Sequence, residues 1–185
     1  MASRFFNMKT LVLVALLNEA PDMGNLPFVF FTGVGKVNAA ARTAQLIERY
    51  KPNHIINFGT AGGITQGAGF YNIKRFVQRD MNCLGLGFPV GQTPYDEVNE
   101  IEFGEGLTCS TGDDFVEHPV LTIPADVVDM EAYAIAKVCH LNKVNFSCYK
   151  YITDQADSNA SIDWQSQSAK GQDHFLLTLK ELGVY

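Results

Sequence analysis

Two carboxylates, Glu131 and Asp154, stand where a chain of this pattern can use an acid. Glu131 opens the helical run Val127-Val128-Asp129-Met130-Glu131-Ala132-Tyr133-Ala134-Ile135-Ala136-Lys137-Val138-Cys139, just behind an apolar strand. Asp154 closes a second strand in Ile152-Thr153-Asp154-Gln155-Ala156-Asp157. Two acids delivered to the same edge of a sheet suit cleavage of a glycosidic bond. One protonates the leaving group while the other steadies positive charge growing on the sugar.

Each of these residues also has a plainer reading. Carboxylates at a helix start are favoured by the dipole and the free N–H groups there, so Asp129-Met130-Glu131 alone could be a solvated first turn. The apolar strand ahead and the alanine-rich run behind imply burial instead, where an acid needs a reason to exist. Asp154 could cap the next helix, although Ser158, Asn159 and Asp163 are better placed to do so. Asp157 reads as a turn former. Glu19 follows the first strand and precedes Pro21, a position that alone suggests a surface loop. Phe115, after the polar turn Ser110-Thr111-Gly112-Asp113-Asp114, is either a core plug or a stacking platform. Trp164, the sole tryptophan, either anchors a helix or lines a pocket.

The elements that must position these residues follow from periodicity. Residues 9–16 and 28–32 are near-continuously apolar and read as buried strands. Gly33-Val34-Gly35 then turns into a helix over 36–50 with Val37, Ala40, Ala41, Ala44 and Ile47 on one face, ending before Pro52. Residues 54–58 form a third strand closing on the small-residue loop Gly59-Thr60-Ala61-Gly62-Gly63. Further strands are expected at 70–79, 101–110, 125–128 and 146–153, with a Gly/Pro-rich loop over 84–96. Helices are expected at 130–141 and 164–182, the last capped by Asp163. Strands alternating with helices indicate an α/β fold, a single domain over 1–185 with a central mixed, twisted sheet flanked by helices. Ligands of such sheets bind beyond the carboxyl ends of strands. Glu19, Thr60, Glu131 and Asp154 all fall just there.

Composition narrows the function classes. The chain has 185 residues, 46% of them apolar and 18% charged, which suits a soluble globular domain. The net charge of -6, with no cluster of basic residues, argues against nucleic acid as a partner. The longest apolar run, residues 11–17, is too short to span a membrane, so no membrane partner is expected. Residues 1–8 read as a short N-terminal extension without a signal-type core. The four cysteines lack CxxC spacing and read as reduced thiols of a cytoplasmic protein. The four histidines are scattered, and no metal site is expected. Gly33-Val34-Gly35-Lys36-Val37-Asn38 lacks both the third glycine of a dinucleotide fingerprint and the ending of a P-loop. Gly85-Leu86-Gly87-Phe88-Pro89-Val90-Gly91 fails the same tests.

Taken in order, five segments resemble the purine nucleoside phosphorylase/nucleosidase superfamily, most of all its 5′-methylthioadenosine/S-adenosylhomocysteine nucleosidase branch. Thr32-Gly33-Val34-Gly35-Lys36-Val37 resembles the family's SGIGK-type turn, and Asn57-Phe58-Gly59-Thr60-Ala61-Gly62-Gly63 its NTGSAGG loop. Ser110-Thr111-Gly112-Asp113-Asp114-Phe115 resembles SGD-x-F, Val128-Asp129-Met130-Glu131-Ala132 resembles VEMEA, and Ile152 to Asp157 resembles ISD-x-AD. Each motif is short; five in the right order make chance agreement very small.

The resemblance implies a nucleoside phosphorylase-like fold, shortened relative to the family, and a homodimeric enzyme that needs no cofactor or metal. It implies that Asp154 protonates N7 of a purine, oriented by Thr153, and that Glu19 activates the attacking water with Thr60 nearby. It places Glu131 on the ribose hydroxyls with Met130 under the sugar. Phe115 would stack on the base, whose edge the backbone of Val116 would read. Val34 and Trp164 match positions lining the pocket for the 5′ substituent. Phosphorylases of the superfamily hold phosphate with arginines, one of them where this chain has Asn57. Water is therefore the expected nucleophile, because a phosphate dianion beside Glu19 without a cation is strongly disfavoured. The resulting expectation is a purine nucleoside N-ribohydrolase acting on a methylthioadenosine-, S-adenosylhomocysteine-, adenosine-, inosine- or futalosine-like substrate. A phosphate-dependent phosphorylase and a non-catalytic nucleoside-binding homologue are the alternatives. Two departures stand out: a pair of strands of the relatives is missing between Glu19 and Pro27, and so is a helix between Asp96 and Ile101.

Overall fold

The computed structural model describes residues 9–118 and 122–185; the expected N-terminal extension lies outside the described residues. Strand β1 (Thr10–Val14) shows why the centre of the molecule is apolar on both sides. Side chains of a strand alternate between faces. Leu11 and Leu13 pack with Leu46, Ile55 and Ile135 on one face, while Val12 and Val14 pack with Ile56, Phe58 and Phe175 on the other. A near-continuous apolar run is the signature of a strand covered on both faces.

Around β1 lie β2 (Val29–Phe31) and β3 (His54–Gly63), both parallel to it. The remaining strands are β4 (Gly69–Gln78), β5 (Ile101–Glu102), β6 (Leu107–Thr111), β7 (Val127–Asp129) and β8 (Asn145–Asp154). All eight form one mixed sheet in the order β2-β1-β3-β7-β6-β4-β5, with β8 pairing both β3 and β4. Because β8 pairs with both β3 (parallel) and β4 (antiparallel), the strands β3, β7, β6, β4 and β8 close into a small barrel. Helices α1 (Lys36–Tyr50), α2 (Ala132–Leu141), α3 (Ala160–Gln167) and α4 (Gln172–Glu181) flank it. The α/β class and the mixed sheet with flanking helices are as the sequence implies. Among the described residues no helix is long and apolar enough to cross a membrane.

Several boundaries differ from the sequence reading, each for a local reason. The strand expected over 101–110 is two strands, β5 and β6, broken where Gly104 and Gly106 take positive φ of 66° and 145°. A Cβ at Gly106 would lie 2.2 Å from Asn72 O, so only glycine permits that approach. The segment Gly59–Gly63 is not a loop but the end of β3, paired with β8 as far as Gly62 opposite Asp154 across a bulge. The helix expected over 164–182 is divided into α3 and α4. Gly171, at the break, sits so close to the sheet that a Cβ would meet Tyr151 Cβ at 2.4 Å. Asp163 is not an N-cap; it lies inside α3, and the carboxylate of Asp157 accepts the N–H of Asn159 ahead of that helix. The buried face of α1 is Ala39, Thr43, Leu46 and Ile47, not the face bearing Val37, which is 78% exposed. The shortened stretch between Glu19 and Pro27 holds a single-turn 3-10 helix, Pro21–Met23, and no helix lies between Asp96 and Ile101.

Candidate active site

The carboxyl ends of β1, β3, β7 and β8 surround a cavity of about 290 Å³. That is at the small end of the roughly 300–1,000 Å³ of small-molecule sites. Glu19, Val34, Thr60, Phe115, Val116, Met130, Glu131, Asp154 and Trp164 all line it. These residues come from seven separate stretches of chain. Thr153 stands behind the wall and reaches the cavity through Asp154.

Glu19 is held by the short 3-10 turn Leu17–Glu19 that follows β1. Far from being a surface residue, it is 4% exposed. Its Oε2 accepts the N–H of Leu16 at 3.0 Å, and its Oε1 accepts both the N–H and the hydroxyl of Thr60 at 2.7 and 2.8 Å. Thr60 in turn accepts the indole N–H of Trp164 at 2.8 Å. The single hydroxyl proton of Thr60 is thereby committed to Glu19, which keeps that carboxylate an acceptor aimed at the cavity.

Glu131 sits between β7 and α2, not inside the helix, as the N-cap residue of α2. The backbone N–H of Gly35 donates to its Oε1 at 2.9 Å. Gly35 has φ 93°, which turns its N–H toward a residue far along the chain. Burial, and then the charge of Asp129, push the Glu131 carboxyl up to about 7.

Asp154 ends β8, where Thr153 Oγ1 donates to its Oδ2 at 2.8 Å and the N–H of Ala156 to its Oδ1 at 2.9 Å. Burial raises its pKa above the ordinary aspartate value, against the opposing effect of those two donors. A Cβ at Gly62 would lie 2.9 Å from Asp154 Oδ1, so the glycine across the bulge leaves room for the acid.

Below the cavity lies an ion pair. Lys150 Nζ meets Asp129 Oδ2 at 2.9 Å, with both side chains almost fully buried. Asp129 also accepts Thr111 Oγ1 at 2.5 Å and the N–H of Ala132 at 2.8 Å, so it caps α2 from the end of β7. Burial alone would raise Asp129; the lysine charge overcomes it and holds the carboxyl at about 2. Lys150 is raised in turn by Asp129, against burial. A Cβ built at Gly59 would come within 3.1 Å of Glu19 Oε1 and 3.3 Å of Lys150 Nζ, so the cation and that carboxylate flank the same bare backbone.

A family model described as the phosphorylase superfamily matches residues 21–180. The chain belongs to that superfamily. Among curated members, it is 29% identical over 180 residues to the 5′-methylthioadenosine/S-adenosylhomocysteine nucleosidase of Shewanella loihica, covering 82% of this chain and 78% of that one. Its fold is shared by solved structures. One is a futalosine hydrolase mutant of Helicobacter pylori, with a TM-score of 0.84 at 19% identity over 94% of this chain and 99% of that one. Another is the 5′-methylthioadenosine/S-adenosylhomocysteine nucleosidase of Neisseria meningitidis in complex with methylthio-immucillin-A, with a TM-score of 0.76 at 23% identity over 89% and 94%.

Three residues at or beneath this cavity escape a reading of the sequence. Asp129 and Lys150 are the buried pair just described. The available signal was register: Phe146, Cys148, Lys150 and Ile152 are the inward positions of β8, and a lysine among them needs a buried partner. The third is Arg79, just beyond β4, whose side chain is 7% exposed and reaches the cavity wall. Strand periodicity carries no sign of it. Asn57, which the resemblance sets against a phosphate-binding arginine, does not line the cavity. Its amide donates to Leu13 O at 3.0 Å and accepts Cys148 Sγ.

Proposed function

We propose that this chain is a purine nucleoside N-ribohydrolase, cleaving the N-glycosidic bond of a methylthioadenosine- or S-adenosylhomocysteine-like nucleoside with water. The observation that carries this reading is the convergence of Glu19, Glu131 and Asp154 on one cavity whose only lining cation among the described residues is Arg79. All four terminal N–H groups of Arg79 are spent on backbone carbonyls. No phosphate dianion can be balanced there by a described residue of the wall, whereas a neutral water can be held and deprotonated.

The division of labour follows from each environment. Asp154, raised by burial, shares a proton with N7 of the base and so turns a poor anionic leaving group into a neutral one. As the C–N bond lengthens the sugar gains oxocarbenium character. Glu131 hydrogen-bonds the ribose hydroxyls from below, with Met130 against the ring. Glu19, fixed at both oxygens, takes a proton from the water that adds to the sugar carbon from the face opposite the base. Phe115 supplies the stacking surface, Val116 the backbone contact to the base edge, and Val34 and Trp164 border the 5′ substituent. Relatives named as nucleosidases for methylthioadenosine and S-adenosylhomocysteine, and a futalosine hydrolase of the same fold, support this substrate class.

The reading extends to a cytoplasmic homodimer. Buried free thiols at Cys109, Cys139 and Cys148 suit a reducing compartment. Leu84, Leu86 and Tyr95, exposed along the 84–96 loop, offer apolar surface to a second copy.

The test is release of free base from a panel of purine nucleosides with and without inorganic phosphate. Phosphate-independent release of adenine and a reducing sugar is the expected result. Strict phosphate dependence with formation of a sugar 1-phosphate would replace the hydrolase with a phosphorylase, and tight binding without any release would leave only a nucleoside-binding protein.

A further inference from the structure

Arg79 is tied to more backbone than any other side chain near the cavity. Its Nη1 donates to Ser110 O at 2.7 Å and Asp129 O at 2.8 Å; its Nη2 donates to Gly112 O at 3.3 Å and Asp114 O at 2.6 Å. The Asp114 carboxylate adds an ion pair at 3.2 Å. Three of those carbonyls belong to the segment that runs from the end of β6 to Phe115. The fourth ends β7, directly ahead of Met130 and Glu131. One planar group thus fixes the spacing between the segment facing the base and the strand facing the sugar. Gly112 is what allows it, since a Cβ there would lie 2.7 Å from Arg79 Cζ.

The neighbouring Asp80 closes the other side. Its Oδ2 accepts the N–H of Asp113 at 2.8 Å, and its Oδ1 pairs with Lys36 Nζ. Asp113 in turn accepts the N–H of Lys36 at 2.7 Å. Lys36 follows Gly35, whose N–H holds Glu131. From two adjacent residues the 110–116 segment is therefore fastened both to the Glu131 strand and to the turn that orients Glu131.

We propose that Arg79, seconded by Asp80, is a positioning residue for base recognition: it sets the distance between the base-facing 110–116 segment and the sugar-facing residues Met130 and Glu131. This rests on the assignment of Phe115 and Val116 to the base. The physical reason lies in the donor geometry. Carbonyls withdrawn from water must find donors. Only a guanidinium presents its N–H groups as a rigid, planar fork able to serve four carbonyls of two elements at once. A lysine keeps the charge yet offers three donors from a single point, so it cannot span both elements.

Loss of base positioning weakens ground state and transition state together, which raises KM and spares kcat. Arg79→Lys should raise KM about tenfold and Arg79→Met roughly a hundredfold, with kcat held within about threefold of wild type. Asp80→Ala, at a more exposed site, should raise KM by about threefold. Arg75→Met, which breaks only the surface pair with Glu100, serves as the unchanged control. A fall in kcat at constant KM, or no change in either, overturns the proposal. If both Arg79 variants lose a cooperative melt, Asp80→Ala decides the matter, and an unchanged KM there overturns it equally.

The fluorescence of Trp164, the only tryptophan and part of the cavity wall, separates this proposal from the functional one. If wild type releases no base from any nucleoside, the hydrolase reading fails. The Arg79 proposal is then read from adenine titration of that emission. Weaker adenine binding by Arg79→Lys supports it; equal binding, or no adenine binding by wild type, overturns it.

Discussion

Asp154 and Glu131 are both carboxyls driven upward by burial, yet their surroundings ask different things of them. Asp154 keeps two donors on its oxygens and faces the proposed leaving group, so its worth lies in the proton it can share. Asp154→Asn retains the shape and the acceptor but cannot pass a proton on. Its kcat should fall by about 10²–10⁴, the usual range for a removed general acid, while nucleoside affinity read from Trp164 emission stays near wild type. A near-normal kcat would remove Asp154 from the mechanism. Glu131 carries a cost instead. Its folded pKa of about 7 lies above the ordinary glutamate value of 4.5. The folded state therefore disfavours the ionised form, and the penalty grows as pH rises from 4.5 to 7 and is constant above. Glu131→Gln keeps the acceptor for Gly35 N–H and escapes that penalty. The melting temperature of the variant, relative to wild type, should rise between pH 4.5 and 8 while its turnover is low at every pH. A constant difference across that range would show that Glu131 does not titrate there. The wild-type kcat/KM should correspondingly fall on the acid side with an apparent pKa near 7, as Glu131 takes up its proton.

At the scale of elements, the site is made by strand ends, and its most demanding junction is that of β7, β8 and α2 at Asp129 and Lys150. A buried ion pair is not a large net gain, but breaking one leaves a stranded charge. Lys150→Met should cost about 3–5 kcal/mol at neutral pH, because Asp129 then stays ionised in a buried site without its counter-ion. In wild type the Asp129 carboxyl, held at about 2, contributes stability above its unfolded pKa of 3.8 that is lost as pH falls through 2. Without the lysine, burial raises that pKa, so acidification to about pH 5 should narrow the gap between variant and wild type in chemical denaturation. A gap independent of pH would mean that the loss is one of packing alone. The same junction shows what the sequence made legible and what it hid. Glu19, Glu131 and Asp154 were readable because each follows an apolar strand, and strand ends in α/β sheets are where ligands gather. Lys150 left only the trace of its inward place in the alternation of β8, with its partner Asp129 distant in sequence, and Arg79 left none, because no local period reports which distant carbonyls a guanidinium will serve. The breaks at Gly106 and Gly171 were hidden for the same reason. Each glycine answers to a neighbour brought up by the fold, Asn72 in one case and Tyr151 in the other.

At the scale of the whole molecule, a closed barrel of five strands explains how a short chain brings so many stretches to one cavity. A barrel that shares β3 with the parallel β2-β1-β3 layer places the ends of β1, β3, β7 and β8 on one rim, and short connections suffice to dress that rim. The economy has a consequence on the outside. Phe115 and Val34, which line the cavity, are 45% and 40% exposed, and Leu86 and Tyr95 on the 84–96 loop are 68% and 91% exposed. A substrate whose 5′ end leaves the cavity meets water on that side unless another surface covers it. The proposed homodimer supplies such a surface, and a self-complementary contact of apolar side chains is the usual way for two copies to meet. Sedimentation of the wild-type chain should then give twice the 20.4 kDa of the monomer at micromolar concentration. Paired substitution Leu86→Glu with Tyr95→Glu should shift it toward monomer, since two buried carboxylates per copy would oppose each other across the contact. If the second copy covers the 5′ side, that monomer should show its largest loss with nucleosides carrying a long apolar 5′ substituent and a smaller one with adenosine. A monomeric wild type with full activity on both would end the argument for a second copy and leave the exposed rim to the substrate alone.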